Sequence, residues 1–348
     1  MRFNTTYRLT YLLLTVAIAA LFFANLIFGA VHIPFGGVLE ILMGDPSSGV
    51  KPSWIHIVYE SRLPQTITAL LAGSALAISG LMLQTLFRNP LAGPSILGIS
   101  DGANLGVAIV MLAFGGAVQI IPGLPISGYL TIIIAAIIGA MAVLSIIIWF
   151  SSRVRSNTML LIVGIMVGYM VSSLISILNF RASSDKVHAF VMWGMGNFSG
   201  VSMEKLPYFS LFILIGLACA LLLIKPLNAL LLGEMYAANL GVKIKPARIS
   251  ILVCTGVLTA TATAFCGPIS FIGLAVPHMS RLVLGSSNHN HLVPMTILLG
   301  GCIALLCNLL TVLPGDNQIF PLNAVTPILG APVIIYVILN RKNIQYFN

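Results

Sequence analysis

Long, uninterrupted apolar segments constrain this chain more than any other feature of its sequence. The first, residues 9–29, holds no charged residue, and comparable segments recur along the whole chain. Charged residues make up only 7% of the chain, against about 25% in typical soluble domains, so a soluble fold could not cover its surface. A membrane β-barrel would instead show strands of about ten residues with alternating polarity. The sequence therefore predicts an all-α polytopic membrane protein.

The segment lengths predict about ten transmembrane helices. A helix needs about 20 residues to cross the hydrocarbon core, and the 348 residues accommodate ten such spans with their connections. We place the spans at residues 9–29, 62–87, 96–114, 128–150, 158–178, 208–224, 247–266, 269–285, 292–313 and 325–340. No soluble segment of domain size interrupts them, so residues 1–348 are predicted to form a single transmembrane domain.

The distribution of Lys and Arg predicts the orientation of these spans. With the N-terminus inside, twelve of the 17 basic residues fall in cytoplasmic segments and the other five fall outside. Ten spans with both termini in the cytoplasm therefore satisfy the positive-inside rule. The net charge of +9 is dispersed between apolar segments and forms no basic stripe, so we expect the lipid bilayer as a partner and no nucleic acid.

Sequence motifs for P-loop nucleotide binding and zinc-dependent hydrolysis are absent. There is no G-x-x-x-x-G-K-[ST] and no H-E-x-x-H. No cofactor or metal site is predicted, because the five cysteines lack metal-type spacing and His289 and His291, in a predicted solvated loop, supply at most two ligands. Asp101 lies within a span, where it could carry a proton in a secondary transporter or simply favour a helix start. An intramembrane enzyme using His278 or a cysteine is a weaker alternative, since the sequence shows no paired catalytic groups.

A proline-rich break separates the second and third spans. Pro90 and Pro94 prevent a continuous helix and expose backbone groups that lipid cannot satisfy. The break must therefore lie at the cytoplasmic surface or line a cavity within the protein. Asn89 is positioned to hydrogen-bond the free backbone groups of this turn.

The longest predicted cytoplasmic loop, residues 225–246, contains a candidate partner-binding helix. Residues 234–240 are predicted to form a short helix that Gly241 ends. One apolar face follows from a spacing of four between Leu232, Tyr236 and Leu240. Such a helix suits a groove in a partner protein, and the alternative is a helix lying on the bilayer surface.

The two halves of the chain, residues 62–150 and 248–340, share a faint pattern. Each opens with an arginine, Arg62 or Arg248, at the start of an apolar span, and a Gly/Pro-rich break follows that span. The predicted topology has the two halves enter the membrane from opposite sides. Inverted repeats of transporters have this arrangement.

Four segments, in order, resemble the permease subunits of ATP-binding cassette (ABC) importers for iron-siderophores, haem and cobalamin, known as the FecCD-type family. They are RLPQTITALLAGSALAISGLMLQTLFRNPLAGPSILGIS, LLLGEMYAANLGV, GPISFIGLAVPHMSR and NAVTPILGAPV, and they extend from Arg62 to Val333. The resemblance implies a type II ABC importer permease fold of ten helices in a homodimer. It also implies two cytoplasmic ATPase subunits, which hydrolyse the ATP, and an extracytoplasmic substrate-binding protein. The expected cargo is a metal chelate, first an iron-siderophore and otherwise cobalamin or haem, carried across the cytoplasmic (inner) membrane of a bacterium.

The resemblance also implies roles for individual residues. Coupling to the ATPase falls on Leu232, Gly233, Glu234, Ala238, Leu240 and Gly241. The cytoplasmic gate falls on Asn89, Pro90 and Leu91, and an inner-end P-H-x-x-R motif on Pro277, His278 and Arg281. His278 and Arg281 share a helix face and are alternatively a structural cap or a snorkelling pair.

On the outer side, the resemblance makes Arg62 the residue that docks the binding protein. The family often has a second arginine three residues later, where this chain has Gln65, and often has Glu-Leu-Pro where this chain has Ile319-Phe320-Pro321. We therefore expect docking to use fewer ion pairs or different ones, such as Lys51 or Lys186.

Overall fold

The computed structural model is helical throughout its described part, which comprises residues 5–29, 31–44, 50–115, 128–154, 156–312 and 320–339. No β-strand occurs within these ranges. The first half contains α1 (Thr5–Ile27), α2 (Phe35–Met43), α3 (Pro52–His56), α4 (Leu63–Phe87), α5 (Ile99–Ala108), α6 (Gly128–Arg153), α7 (Asn157–Arg181) and α8 (Ser184–Gly194). The second half contains α9 (Leu206–Leu222), α10 (Ile224–Leu231), α11 (Glu234–Asn239), α12 (Ile244–Cys266), α13 (Ile272–Leu284), α14 (His289–Val312) and α15 (Leu322–Leu339). Two π-helical turns extend this set, Ile57–Arg62 before α4 and Ile109–Ala113 after α5.

Each of the ten predicted spans overlaps one of these helices, but not all of the helices are long. In the described residues, six helices are long and apolar enough to cross a membrane, and the bent pair α9 and α10 makes a seventh. Three shorter apolar helices account for the remaining predicted spans: Ile99–Ala113, Ile272–Leu284 and Leu322–Val337. The all-α membrane fold is confirmed, and the count of ten is approximate because these three helices are shorter than a full span within the described residues.

Helices α4 and α12 form the centre of the molecule. The apolar windows of α4 and α12 are 83% and 78% buried, whereas those of α1 and α7 are only 11% and 28% buried. Close backbone approach makes this packing dense: a Cβ atom on Gly73 of α4 would overlap the carbonyl oxygen of Gly300 on α14. Small residues permit such contacts between helices in lipid, where no hydrophobic driving force brings helices together.

Candidate coupling and gate site

The segment that follows α4 is a tight, exposed turn, as its prolines predict. Arg88 ends the helix in the left-handed conformation, with φ 47°. Asn89 Oδ1 then accepts a hydrogen bond of 2.9 Å from the backbone N–H of Leu91, which confirms the predicted backbone role of Asn89. The Leu91 side chain is 46% exposed. We refer to residues 88–92 as the gate turn.

The P-H-x-x-R motif of α13 contacts the gate turn directly. His278 Nε2 lies 2.8 Å from the carbonyl oxygen of Pro90, to which its N–H donates. Arg281 Nη1 donates to Gln84 Oε1, on the last turn of α4, at 2.6 Å. Both side chains are almost fully buried, at 1% and 3% exposure, so they are not a snorkelling pair. They bind the end of α4 and the gate turn to α13.

The predicted short helix is present in the 225–246 loop as α11. Two glycines frame it, Gly233 with φ 102° and Gly241 with φ 84°, a region of backbone space that favours glycine. The predicted apolar face is exposed, since Leu232 is 49%, Tyr236 67% and Leu240 65% exposed. Met235, which the spacing argument missed, is 84% exposed beside them. We call residues 224–241 the coupling element, and Leu232, Met235, Tyr236 and Leu240 its apolar knob.

The opposite side of α11 is anchored to the membrane helices. Arg248, on the first turns of α12, donates to Glu234 Oε1 at 2.6 Å. Its other terminal nitrogen donates to the carbonyl oxygens of Ser151 and Val154, at 3.3 and 3.2 Å. Ala237 is fully buried on the same side, whereas Ala238 is exposed. Glu234 therefore faces the protein rather than the apolar knob.

Asn157, the first residue of α7, joins this anchor to the end of α4. Its Nδ2 donates to Glu234 Oε1 at 3.1 Å and to the carbonyl oxygen of Leu86 at 2.9 Å. These contacts place the end of α4 beside the start of α12, so the two central helices run in opposite directions. Sequence reasoning missed Asn157, because no local pattern marks a partner 71 residues away.

The prediction that His289 lies in a solvated loop is wrong. His289 is the first residue of α14 and is fully buried between α10 and α4. Its backbone N–H donates to Asn228 Oδ1 at 2.8 Å, its Nδ1 lies 3.2 Å from the same oxygen, and its Nε2 lies 2.9 Å from Thr85 Oγ1. Packing against α4 explains the burial, which the polar neighbours Asn288 and Asn290 concealed in the sequence.

At the other end of α4, Arg62 is buried rather than displayed. Arg62 as a whole is 7% exposed, and its guanidinium donates to the carbonyl oxygens of Leu26, at 2.7 Å, and Ile27, at 2.8 Å, and also to that of Val31. It therefore caps the C-terminal end of α1. Docking of the binding protein by Arg62 stays a prediction. Both terminal nitrogens of this side chain already donate hydrogen bonds within the chain.

Gln65, which stands where the family often has a second arginine, is also hydrogen-bonded within the protein. Its Nε2 donates to Asn308 Oδ1 at 2.9 Å, and Asn308 Nδ2 donates to Asn25 Oδ1 at 2.7 Å. Of the alternative docking residues, Lys51 is exposed, while Lys186 Nζ donates to the Leu112 carbonyl oxygen at 3.4 Å. Ile319, which stands where the family often has the glutamate of Glu-Leu-Pro, lies outside the described residues. The adjacent Phe320 is 46% exposed.

Asp101 lies on the first turn of α5, where its carboxylate is close to Gly168 of α7. Within the described residues no basic side chain forms an ion pair with Asp101. No hydrogen-bonded chain of ionisable groups leads from it through the described helices, as a proton pathway would require.

Comparison with known proteins identifies the architecture. The family model of the FecCD transport family matches residues 16–340. The chain belongs to the FecCD transport family. Solved structures agree: an ABC transporter of provisional metal-chelate type, solved in an inward-facing conformation, aligns with a TM-score of 0.80 at 29% identity, over 94% of this chain and 97% of that one.

The relatives of this chain are ABC permeases, two of which are named as import permeases. The vitamin B12 import permease BtuC of Klebsiella pneumoniae is 35% identical over 286 residues, 82% of this chain and 83% of BtuC. The molybdate import permease MolB of Haemophilus influenzae is 35% identical over 291 residues, with the same coverage. An uncharacterised ABC permease of Bacillus subtilis, YvrB, is 32% identical over 323 residues, 90% of this chain and 88% of YvrB.

FecCD membership makes this chain a multi-pass ABC importer permease, which confirms the family and the importer class expected from the motifs. It also confirms a transport subunit as opposed to an enzyme. The proton-driven alternative through Asp101 has no observation in its favour once the chain is placed in an ATP-dependent class. Roles of the individual gate, coupling and docking residues stay predictions.

Proposed function

We propose that this permease moves a metal-containing cargo, most simply a metal chelate, inward across the cytoplasmic membrane by alternating access. Two copies would form the pathway, two ATPase subunits would drive it from the cytoplasm, and an outer binding protein would deliver the cargo. One observation carries this proposal: the coupling element presents an exposed apolar knob on one side and is anchored through Glu234 to the membrane helices on the other.

The knob has the properties of a protein-docking surface. Its four side chains are 49–84% exposed and contiguous along one short helix and its flanking residues. Exposed apolar clusters of this kind mark interaction sites when polar residues surround them. Here Lys225, within the element, and Lys243 and Lys245, just after it, are exposed. A helix lying on the bilayer would share the exposure, but a six-residue helix held by a buried arginine supports force transmission better than membrane anchoring.

The mechanism follows from the connections of the coupling element. Closure of the ATPase pair on ATP would displace the two knobs, and the anchored elements would tilt α4 and α12. The gate turn, which joins α4 to α5, would then open or close the cytoplasmic end of the pathway. The permease itself forms and breaks no covalent bond in this scheme.

The cargo is proposed as a class rather than a compound. Relatives import vitamin B12, a cobalt chelate, and molybdate, a metal oxyanion. Vitamin B12 is a metal chelate, and the solved transporter that aligns with this chain is also described as of metal-chelate type. Within the class of metal chelates, iron-siderophores stay our first prediction. Titrating the co-encoded binding protein with ferric siderophores, haem, cobalamin and molybdate would identify the cargo, and binding of none of them would contradict the class.

The coupling assignment is tested by the affinity of the co-encoded ATPase for the permease in lipid nanodiscs. Replacing both Met235 and Tyr236 by Ala removes the most exposed part of the knob. We expect ATPase binding to weaken about thirtyfold, because interface anchors contribute ~2 kcal/mol or more. The matched control is Phe180→Ala. Phe180 is an exposed aromatic residue at the end of α7 that lies away from the coupling element, so this variant should leave ATPase binding unchanged. Parental affinity in the double variant would refute the assignment.

A further inference from the structure

We propose that Asn157 and His289 are positioning residues that transmit movement of the coupling element to the gate turn through two separate hydrogen-bond relays. This inference rests on the proposed function, since it assigns the path by which the coupling element acts. Neither residue belongs to the coupling or gate motifs themselves. Both lie between them and contact the last turn of α4, which leads directly into the gate turn.

The first relay starts at α11. Glu234 Oε1 accepts from Asn157 Nδ2 at 3.1 Å, and the same amide group donates to the carbonyl oxygen of Leu86 at 2.9 Å. An amide nitrogen carries two protons, so both bonds can exist together. Leu86 is two residues before Arg88, where the gate turn begins. A shift of α11 therefore reaches the gate turn through one side chain.

The second relay starts at α10. Asn228 Oδ1 accepts from the backbone N–H of His289, at 2.8 Å, and lies 3.2 Å from its Nδ1. Because a carbonyl oxygen can only accept, Nδ1 carries the ring proton, and in the neutral ring Nε2 is then the acceptor. Thr85 Oγ1 lies 2.9 Å from Nε2 and also 2.9 Å from the carbonyl oxygen of Leu81, so these two acceptors share its single proton. The chain of bonds runs without a gap from the coupling element to the last turn of α4.

Burial makes these bonds mechanically and energetically significant. His289 and Thr85 are both fully buried, so no water replaces a bond that stretches. The two relays leave α10 and α11 separately and end on neighbouring residues, Thr85 and Leu86. His278 and Arg281 of α13 hold Pro90 of the gate turn and Gln84 of the same last turn of α4. Movement of the coupling element relative to α13 would therefore act on the last turn of α4 and on the gate turn that follows it.

The test follows the gate turn directly and needs no cargo. A nitroxide label is placed at position 91 by Leu91→Cys, in a Cys219→Ser background, because Cys219 is the only exposed cysteine among the five. The complex of permease and ATPase in nanodiscs is compared without nucleotide and after trapping with ATP and vanadate. Spectra of the label report the fraction of gate turns that change environment.

Two relay variants are compared with two controls. Asn157→Ala breaks the first relay, and Thr85→Val breaks the second with little change of volume. In the vanadate-trapped complex, each variant should lower the ratio of gate turns that have changed environment to those that have not by roughly two- to tenfold. This is the effect expected for the loss of one hydrogen bond. The controls are Asn179→Ala, at the far end of α7, and the exposed Asn290→Ala, beside His289, and both should respond as the parent does.

The outcomes separate the relay from the proposed function. ATPase affinity should stay parental in both relay variants, because the knob is untouched and Arg248 still anchors Glu234, and this also shows that the variants fold. A parental label response in both variants would overturn the relay alone. A parent complex that assembles and hydrolyses ATP without any change at position 91 would instead overturn the gate assignment of the proposed function.

Discussion

Arg62 and Arg248 occupy equivalent places in the two halves of the chain and are satisfied in different ways. Each lies at the start of one of the two most buried helices, α4 and α12, and each is almost fully buried, at 7% and 6% exposure. They lie at opposite ends of the molecule, since 24 residues of helix separate Arg62 from the Leu86 end of α4, a length of about 36 Å. Arg62 binds only backbone carbonyl oxygens, whereas Arg248 binds two carbonyl oxygens and the carboxylate of Glu234.

A buried arginine at a helix start therefore has a different role in each half. At the Arg62 end two of the partners are the last carbonyl groups of α1, whose helix dipole already favours a positive charge. Loss of that arginine would leave neutral groups without donors. At the Arg248 end the partner belongs to the coupling element, so loss of the arginine would leave the Glu234 carboxylate without a charged partner and α11 held only through Asn157. The first arginine fixes a helix end, and the second ties a moving part to the bundle.

Removing Arg248 should have the largest effect. We expect Arg248→Met to lower the stability of the detergent-solubilised protein by about 3 kcal/mol, because it leaves a partly buried carboxylate unpaired. ATPase-binding affinity should fall with it, because the coupling element loses its anchor. Chemical denaturation followed by intrinsic fluorescence measures the first effect, and titration with the ATPase measures the second.

The double variant Arg248→Met with Glu234→Gln isolates the charge. Removing both charged partners of a pair is often nearly neutral, so stability should recover by more than half. ATPase affinity should not recover, since α11 stays unanchored. Equal stability in the single and double variants would show that Arg248 acts through the carbonyl oxygens of Ser151 and Val154, as Arg62 does through its own.

Removing Arg62 should have a smaller effect and one of a different kind. Arg62→Met should lower stability by about 2 kcal/mol, since three carbonyl oxygens lose a donor but no charge is left unpaired. ATPase affinity should be parental, because the coupling element lies at the other end of α4. A loss of binding-protein affinity with unchanged stability would instead support the docking role that the sequence resemblance implies for this residue.

Local signals account for most of what the sequence predicted. The spans follow from apolar length, the gate turn from two prolines, and the α11 face from residues four apart, and all of these depend on neighbours in the chain. The partners of the buried polar groups do not. Arg62 meets Val31 across 31 residues, and Thr85 meets His289 across 204.

Polar residues near predicted helix ends were the positions where sequence reasoning was weakest. The sequence places His289 in a solvated loop between two predicted spans, and the resemblance to the family gives Arg62 its docking role. Both side chains enter gaps between helices, and only the packing of α1, α4, α10 and α14 creates those gaps. Charge and sequence position predict the side of the membrane for such residues, but not whether they face water.

The smallest predicted effect sharpens the comparison at the Arg62 end. Gly29 lies against the guanidinium, and a Cβ atom added there would come within 2.5 Å of Arg62 Nη2. Gly29→Ala should lower stability by about 1 kcal/mol, because the flexible end of the arginine can shift and keep part of its bonding. Gly36→Ala, at a glycine of α2 with no atom within 4 Å of the added Cβ, is the control and should be neutral or slightly stabilising. In an Arg62→Met background the cost of Gly29→Ala should disappear, since the clashing group is gone. If Gly29→Ala still lowers stability in the Arg62→Met background, the backbone at Gly29 requires glycine independently of the arginine. The Arg62 and Arg248 sites would then differ in backbone conformation as well as in their hydrogen-bond partners.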